Sequence, residues 1–227
     1  MEIFAMEFWV ALGSIIILDL VLGGDNAVVI AMASRNLAAE KRKKAIYIGT
    51  MGAIIIRTLM TFLAVWVLTI PYLQALGGLA LLPIAVNLLK PNKCQKEVTT
   101  CEGFWSAIKT IIIADVAMGI DNVLAIAGAA DGHFGLVVIG LLISVPIIVW
   151  GSQLIGELMK KYPSLILIGS AILVWTGSGM IIHDPMVAQL LNSIMQSELL
   201  FFIPLVLTSA IIIYGYYAQK KCTVAIN

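Results

Sequence analysis

The sequence predicts an all-α, polytopic membrane protein with seven transmembrane helices, arranged as two inverted three-helix repeats plus a seventh helix. Three observations lead to this fold class. Hydrophobic residues make up 61% of the 227 residues and charged residues only 12%, whereas a soluble domain carries about 25% charged residues. Seven apolar segments follow one another, and one stretch of 26 residues occurs twice. This composition cannot cover a water-facing surface, so it excludes a soluble enzyme, a nucleic-acid-binding module and a disordered chain.

Each predicted span is a run of about 20 mostly apolar residues, the length that crosses a bilayer as a helix. Helices are favoured over barrel strands, which would be shorter and would alternate in polarity. The third span is the weakest, because it is short and contains Gly77, Gly78 and Pro83. We treat residues 1–227 as a single transmembrane domain. In chain order, the predicted spans cover residues 8–33, 46–69, 73–89, 104–130, 135–158, 164–182 and 199–217.

Lysine and arginine predict the orientation, because cytoplasmic loops of membrane proteins are enriched in both. Of the 14 basic residues, 12 lie in the first, third and fifth connecting segments and in the C-terminal tail. The N-terminus and the remaining connecting segments contain none, and the N-terminus lacks the basic region of a signal peptide. We therefore expect a multi-pass protein of the cell (plasma) membrane, with its N-terminus outside and its C-terminus in the cytoplasm.

An internal repeat links the first and fourth spans. Residues 8–33 and 104–129 are identical at 13 of 26 positions, and both contain the pattern Asp-x3-Gly-x-Asp-Asn. The repeat unit holds three spans, an odd number, so the two copies must enter the membrane from opposite sides. Inverted repeats are typical of secondary transporters, which bind their substrates at the repeat interface near the midplane. We place repeat 1 at about residues 8–89, repeat 2 at about 104–182 and the extra helix at about 199–217.

The duplicated pattern places acidic side chains inside the membrane. A charge at the bilayer centre costs about 2.5–3.5 kcal/mol on insertion scales, so four such residues imply a function. Each copy adds an asparagine, and no cysteine or histidine lies near either copy. Oxygen ligands suit Mg²⁺, Ca²⁺ or Mn²⁺, whereas zinc and copper favour nitrogen and sulfur. The predicted metal ligands are Asp19, Asp25, Asn26, Asp115, Asp121 and Asn122.

Glycines in the first copy predict a local change of backbone. Asp19, Gly23 and Asn26 share one face of an ideal helix, while Asp25 points elsewhere. The pair Gly23 and Gly24 could unwind the helix at this point and turn Asp25 inward. An unwound segment also frees backbone carbonyls for a cation, which is tolerated in a membrane only where the segment lines a cavity.

Two further residues support the predicted site. Gly119 is followed by an isoleucine rather than a second glycine, so we expect a milder break in the second copy. Arg57 is a charged residue in the middle of a span, and we expect it to pair with one of the four aspartates as a fixed counter-ion; a gate is the alternative. The competing interpretation is purely structural: the polar side chains would only join helices, and the small residues would only permit close packing.

The segments Gly-Gly-Asp-Asn and Gly-Ile-Asp-Asn, each preceded by an aspartate, resemble the TerC family of integral membrane proteins. The resemblance extends over nearly the whole chain and covers the seven spans, the basic first loop and both motifs. It implies Mn²⁺ as the leading cargo, since family members are mostly linked to manganese export and some relatives to other divalent cations. It also implies that the six predicted ligands take part in transport. The residues themselves argue only for a hard cation, with Ca²⁺ and Mg²⁺ as alternatives.

The leading hypothesis is a metal-ion exporter with alternating access, in which proton exchange supplies the driving force. Its expected partners are the lipid bilayer, the transported cation and protons, with no prosthetic group and no nucleic acid. The first alternative is an intramembrane aspartyl protease, which needs one aspartate pair sharing a proton rather than two symmetric pairs with adjacent asparagines. The second is an assembly factor that hands metal to secreted proteins, which capture of partner proteins would distinguish from a plain exporter.

The orientation can be tested by labelling single cysteines placed in the segment 41–44. We expect no labelling from outside intact cells by a reagent that cannot cross the membrane, because the clustered lysines are predicted to be cytoplasmic. Trypsin should cut this segment in inverted vesicles and spare it in intact cells. Labelling from outside would overturn the predicted topology.

Overall fold

The protein folds into helices alone in the part of the chain that the structure describes. The computed structural model covers residues 6–67, 69–89, 100–130, 133–194, 200 and 202–224, which form ten α-helices and no β-strand. The predicted all-α class is therefore confirmed. In chain order, the helices are α1 (Met6–Leu22), α2 (Gly24–Ser34), α3 (Ala39–Phe62), α4 (Ala64–Val67), α5 (Leu73–Leu89), α6 (Thr100–Ala130), α7 (Phe134–Lys161), α8 (Ser164–His183), α9 (Pro185–Ile194) and α10 (Phe202–Val224).

The helix lengths fit a multi-pass membrane protein. Among the described residues, α3, α6, α7 and α8 each contain a stretch long and apolar enough to cross a membrane. The pair α1 and α2 gives a fifth span if the 50° bend between them is a break within one crossing. Two shorter apolar helices, Leu73–Leu89 and Phe202–Tyr217, lie where the third and seventh spans are predicted. The polytopic class is confirmed, while the number seven stays a prediction.

The first span is broken at Gly23, as the glycine pair predicts. Gly23 separates α1 from α2 with φ −98° and ψ 8°, and its N–H donates to the Asp19 carbonyl at 2.8 Å. A Cβ on Gly23 would overlap that same carbonyl oxygen, so a residue without a side chain is required here. The other copy differs, because α6 runs through Gly119 without interruption. The second copy therefore has no break at this position, where the sequence predicted a milder one.

The second span begins earlier than hydropathy indicates. The basic segment 41–44, predicted as loop, belongs to the first turns of α3, which starts at Ala39. Because the side chains of this segment are polar, the hydropathy of the sequence does not show that the helix begins here. Arg42 is only 8% exposed, and its Nη2 donates to the Gln153 carbonyl of α7 at 3.3 Å. Gly156 makes room for it, since a Cβ there would lie 2.9 Å from the guanidinium.

A short helix that the sequence analysis did not predict, α9, follows α8 directly. Asp184 ends α8 and caps α9: its Oδ1 accepts hydrogen bonds from the N–H groups of Met186 at 3.0 Å and Val187 at 3.3 Å. Its Oδ2 accepts a hydrogen bond from the Ala75 N–H at 3.2 Å. The carboxylate is 1% exposed, so it joins the start of α5 to the junction of α8 and α9.

The third helices of the two predicted repeats, α5 and α8, cross at a pair of glycines. A Cβ on Gly78 would overlap the carbonyl oxygen of Gly177, and a Cβ on Gly177 would lie 2.9 Å from the carbonyl oxygen of Gly78. The contact is therefore reciprocal, and the two backbones touch where neither residue has a side chain. Small residues allow this close approach between membrane helices.

Helices α1, α3, α6 and α7 pack through one type of contact, in which a glycine faces an isoleucine. Gly49 of α3 faces Ile111 of α6, and Gly140 of α7 faces Ile15 of α1; a Cβ on either glycine would lie 3.0 Å or closer to the isoleucine. Ile15 and Ile111 are equivalent positions of the internal repeat, 96 residues apart. The contact between Gly49 and Ile111 is therefore the counterpart, in the other copy of the repeat, of the contact between Gly140 and Ile15.

We predict that Gly78→Ala lowers the free energy of unfolding by about 1–3 kcal/mol, the usual effect of overpacking a tight contact. The added methyl group would meet the Gly177 backbone rather than a movable side chain. Gly179→Ala on the same helix as Gly177 is the matched control, since nothing lies within 4 Å of its Cβ position. Thermal unfolding in detergent would measure both; equal stabilities would contradict the crossing.

Candidate functional site

One arginine joins the acidic residues of the two motifs. Arg57 of α3 is 4% exposed and forms ion pairs with Asp19 of α1 through Nη1 and with Asp115 of α6 through Nη2. The second pair measures 2.5 Å between Nη2 and Oδ1. Asp19 is fully buried and Asp115 is 14% exposed. Arg57 thus pairs with two of the four aspartates, where the sequence predicted one.

A serine that the sequence analysis missed completes the surroundings of Asp19. The hydroxyl of Ser144 on α7 donates to Asp19 Oδ2 at 2.5 Å, and Ser144 is fully buried. Both carboxylate oxygens of Asp19 are therefore engaged, one by Arg57 and the other by Ser144. A single serine in an apolar span carries no signal by itself, because most such hydroxyls bond to a carbonyl of their own helix. Its role depends on the packing of α7 against α1.

The helix break places the polar end of α2 beside Asp115. Asn26 Nδ2 donates to Asp115 Oδ1 at 3.0 Å, while Asn26 Oδ1 is buried without a hydrogen-bond partner. Asp25 Oδ1 is likewise buried and unpartnered, and Asp25 lies within electrostatic range of both Arg57 and Asp115. Two oxygen acceptors thus remain free next to the ion pairs. Because a buried polar atom without a partner is costly, these two atoms require an explanation.

The second motif is only partly joined to this group. Asn122 on α6 is 4% exposed, and its Nδ2 has no hydrogen-bond partner. The side chain of Asp121 lies outside the described residues. Gly119 leaves space beside Arg57, since a Cβ there would lie 3.6 Å from Arg57 Nε. Gly24, at the start of α2, has nothing within 4 Å of its Cβ position.

A narrow cavity borders the group of ion pairs. Its polar wall consists of Asn26, Arg57 and Asp115, together with Thr50, whose hydroxyl donates to the Ile46 carbonyl of its own helix at 2.8 Å. The interior has room for about one water-sized particle. Helices α2, α3, α6 and α7 contribute the apolar remainder of the wall, which comprises Val29, Ile30, Ala53, Ile54, Ile111, Leu141, Val145 and Ile148.

Two apolar clusters flank the charged group. One contains Ile15 and Ile126, and the other contains Ile30 and Ile111. Ile15 precedes the first motif and Ile126 follows the second, while Ile111 precedes the second motif and Ile30 follows the first. Each cluster therefore combines the start of one motif-bearing segment with the end of the other. The two segments run in opposite directions past the ion pairs.

The five predicted ligands whose side chains are described do not form one coordination shell in this conformation. Within the described residues, no three Asp, Glu, His or Cys side chains are grouped so as to hold a metal ion. Asp19, Asn26 and Asp115 meet around Arg57, Asp25 lies close by, and Asn122 has no described bond to them. Among the described side chains, the arrangement is an acidic site whose charge is partly compensated by one arginine, with two free oxygens.

Known proteins resemble this chain over nearly its whole length. The sequence model of the integral membrane protein TerC family matches residues 4–222. The membrane protein YjbE of Bacillus subtilis (strain 168) is 43% identical over 214 residues, which cover 94% of this chain and 97% of the relative. The membrane protein YkoY of the same strain is 32% identical over 189 residues, or 74% of this chain and 58% of the relative.

A more distant relative comes from a second bacterium. The UPF0053 inner membrane protein YgdQ of Escherichia coli (strain K12) is 25% identical over 194 residues, which cover 78% of this chain and 81% of the relative. No solved structure matches the chain.

We predict that Ser144→Ala lowers the free energy of unfolding by about 1.5–3 kcal/mol, the range for hydrogen bonds to charged groups. The substitution leaves one oxygen of the buried Asp19 without its donor. Ser152→Ala is the matched control on the same helix, because that buried hydroxyl donates only to the Val149 carbonyl of α7 at 2.7 Å. Unfolding in detergent should separate the two variants, and a loss as small as that of Ser152→Ala would argue against the Ser144 contact.

Proposed function

The chain belongs to the integral membrane protein TerC family, and on that premise we propose that it exports a divalent metal cation, Mn²⁺ first, from the cytoplasm across the cell membrane. One observation carries the proposal. Asn26 Oδ1 is buried without a hydrogen-bond partner in the wall of a cavity that Asn26 and Asp115 line, and Oδ1 of the neighbouring Asp25 is buried and unpartnered as well. Free, buried oxygens at a helix break inside an apolar bundle are what a transported cation requires.

The chemistry of the free atoms sets the class of cargo. Carboxylate and carboxamide oxygens bind hard cations such as Mn²⁺, Mg²⁺ and Ca²⁺, and no cysteine or histidine is among the described residues that line the cavity. Asn26 and Asp115 line the cavity and are the first side chains that a cation would reach in the described conformation, and Asp25 lies next to Asn26 in the first turn of α2. Asp19, Asp121 and Asn122 would join the coordination shell as the surrounding helices move.

Two apolar clusters supply gates for alternating access. The cluster with Ile15 and Ile126 and the cluster with Ile30 and Ile111 lie on either side of the ion pairs. A cation cannot pass either layer while it stays packed, because neither offers a polar contact. Under the predicted orientation, the layer with Ile30 and Ile111 faces the cytoplasm and would open to load the ion. The opposite layer would open to release it, with protons returning to the carboxylates in exchange.

The contacts of the aspartates give the protease alternative no support. A catalytic aspartate dyad consists of two carboxylates that share one proton. Asp19 and Asp115 instead bind one guanidinium, which lies between them. In the described contacts, each of the two carboxylates accepts a hydrogen bond from the guanidinium. The transport hypothesis uses the same geometry without requiring a shared proton.

We predict that Asp25→Asn and Asp121→Asn each abolish Mn²⁺ efflux while the protein stays folded and inserted. The substitution keeps the size and hydrogen-bonding capacity of the side chain but removes the charge that makes it a strong ligand for a hard cation. Stabilisation by added Mn²⁺ should vanish in both variants; for a binding protein it reaches about 2.7 kcal/mol at 100 times Kd. Cellular Mn²⁺ accumulation and metal-dependent thermal shifts measure the two effects.

Glu157→Gln serves as the control for this pair of variants. Glu157 is an exposed carboxylate on α7 and lies in neither motif, so its neutralisation should change neither efflux nor the thermal shift. If both aspartate variants keep the shift and the efflux, the carboxylates only join helices and the transport site lies elsewhere.

A further inference from the structure

We propose that Arg57 is a resident cation that competes with the transported metal for Asp19 and Asp115, so that metal loading requires α3 to move. This inference rests on the proposed export function and names how its site is regulated. The guanidinium would occupy the carboxylates when no metal is bound. Metal would displace it on loading, and its return would assist release on the other side.

Three carboxylate oxygens of Asp19 and Asp115 are already occupied by hydrogen-bond donors. Arg57 binds Oδ1 of Asp19 and Oδ1 of Asp115, and Ser144 takes the second oxygen of Asp19. A divalent cation coordinated by both carboxylates would stand next to the guanidinium in a medium of low dielectric. Two positive charges at such a distance repel strongly where water cannot screen them. Metal and guanidinium therefore exclude each other at these oxygens.

Among the described residues that line the cavity, no second cation could replace Arg57. Gly49 of α3 and Gly140 of α7 make equivalent contacts and are separated by 91 positions in the sequence. With the same offset, Ile148 of α7 is the position equivalent to Arg57 of α3. Both residues line the cavity, but only one carries a charge. If Arg57 left, Asp19 would keep only a neutral donor from α7. Because an unpaired carboxylate in the membrane interior is costly, departure of the guanidinium requires arrival of another cation.

The cavity leaves no space for a displaced guanidinium. The cavity beside Arg57 has room for about one water-sized particle, so a bare ion fits and a displaced guanidinium does not. Arg57 can leave the carboxylates only if its helix shifts. Close contacts hold α3 against α6, where a Cβ on Gly49 or Gly52 would meet Ile111 or Ile112 within 3.0 Å. Loading the ion thus forces apart two helices that belong to different repeats.

The test is Mn²⁺ binding to purified Arg57→Met, measured by the electron paramagnetic resonance signal of free Mn²⁺. With the competitor removed, we expect Kd to fall about tenfold or more relative to the unmodified protein. Export should fall at the same time, because release loses its assistance. A residue that merely organised the ligands would instead weaken both binding and export when it is replaced.

Arg42→Met is the matched control. Arg42 is also a buried arginine of α3, but it donates to the Gln153 carbonyl and contacts no aspartate. Its replacement should leave the Kd for Mn²⁺ unchanged. A fall in Kd equal to that of Arg57→Met would show a general effect of losing a buried charge and would overturn the proposal.

Arg57→Lys keeps the test decisive if Arg57→Met does not fold. An ammonium group keeps the charge but lacks the planar fork that holds two carboxylates at once, so Kd should fall by a smaller factor. A Kd equal to or higher than that of the unmodified protein, in either folded variant, would overturn the inference while leaving metal export intact. Absence of Mn²⁺ binding by the unmodified protein would instead remove the proposed function itself.

Discussion

The protein is organised around one constraint: charges buried in an apolar bundle must be paired. Arg57 meets this constraint for Asp19 and Asp115 together, and so joins three helices drawn from both copies of the repeat. A buried charge that loses its partner costs about 3–5 kcal/mol, so these contacts fix how α1, α3 and α6 lie against one another. The close packing at Gly49 and Gly140 supports these ion pairs. It brings the helix backbones near enough for the charged side chains to meet.

The packing around the ion pairs is nearly symmetric, whereas the chemistry is not. Equivalent isoleucines form the layers on both sides, and the same glycine-to-isoleucine contact occurs twice. Within this frame only the first copy has a broken helix, and only α3 carries an arginine at the cavity. The sequence duplication thus supplies two similar scaffolds, and differences at a few positions give the two copies different local structures. One copy provides the free oxygens at a helix break, and the other provides a continuous helix against which they are held.

Hydropathy and the internal repeat predicted the long apolar helices, the break at Gly23 and the pairing of Arg57 with an aspartate, because each depends on local composition or on the duplication. They did not predict that Arg57 binds two aspartates, or that Ser144 engages Asp19. Helical periodicity tells which face a residue occupies, but the partner on the facing helix depends on how the helices cross. The start of α3 and the burial of Arg42 were missed for a related reason. Hydropathy detects only the apolar part of a helix, and α3 extends beyond that part. The capped helix α9 was overlooked because it is too short to span.

The long separation between Asp19 and its partner also affects how the chain is made. The ribosome completes Asp19 38 residues before Arg57, an interval of about 2 to 8 s at ordinary synthesis rates. During that interval the translocon receives a segment with two carboxylates, a kink-forming glycine and no cation to offset them. Each carboxylate weakens partitioning into lipid by about 2.5–3.5 kcal/mol. These costs make the first span a weaker insertion sequence by itself than its apolar length indicates, and pairing with Arg57 of α3 would stabilise it in the bilayer.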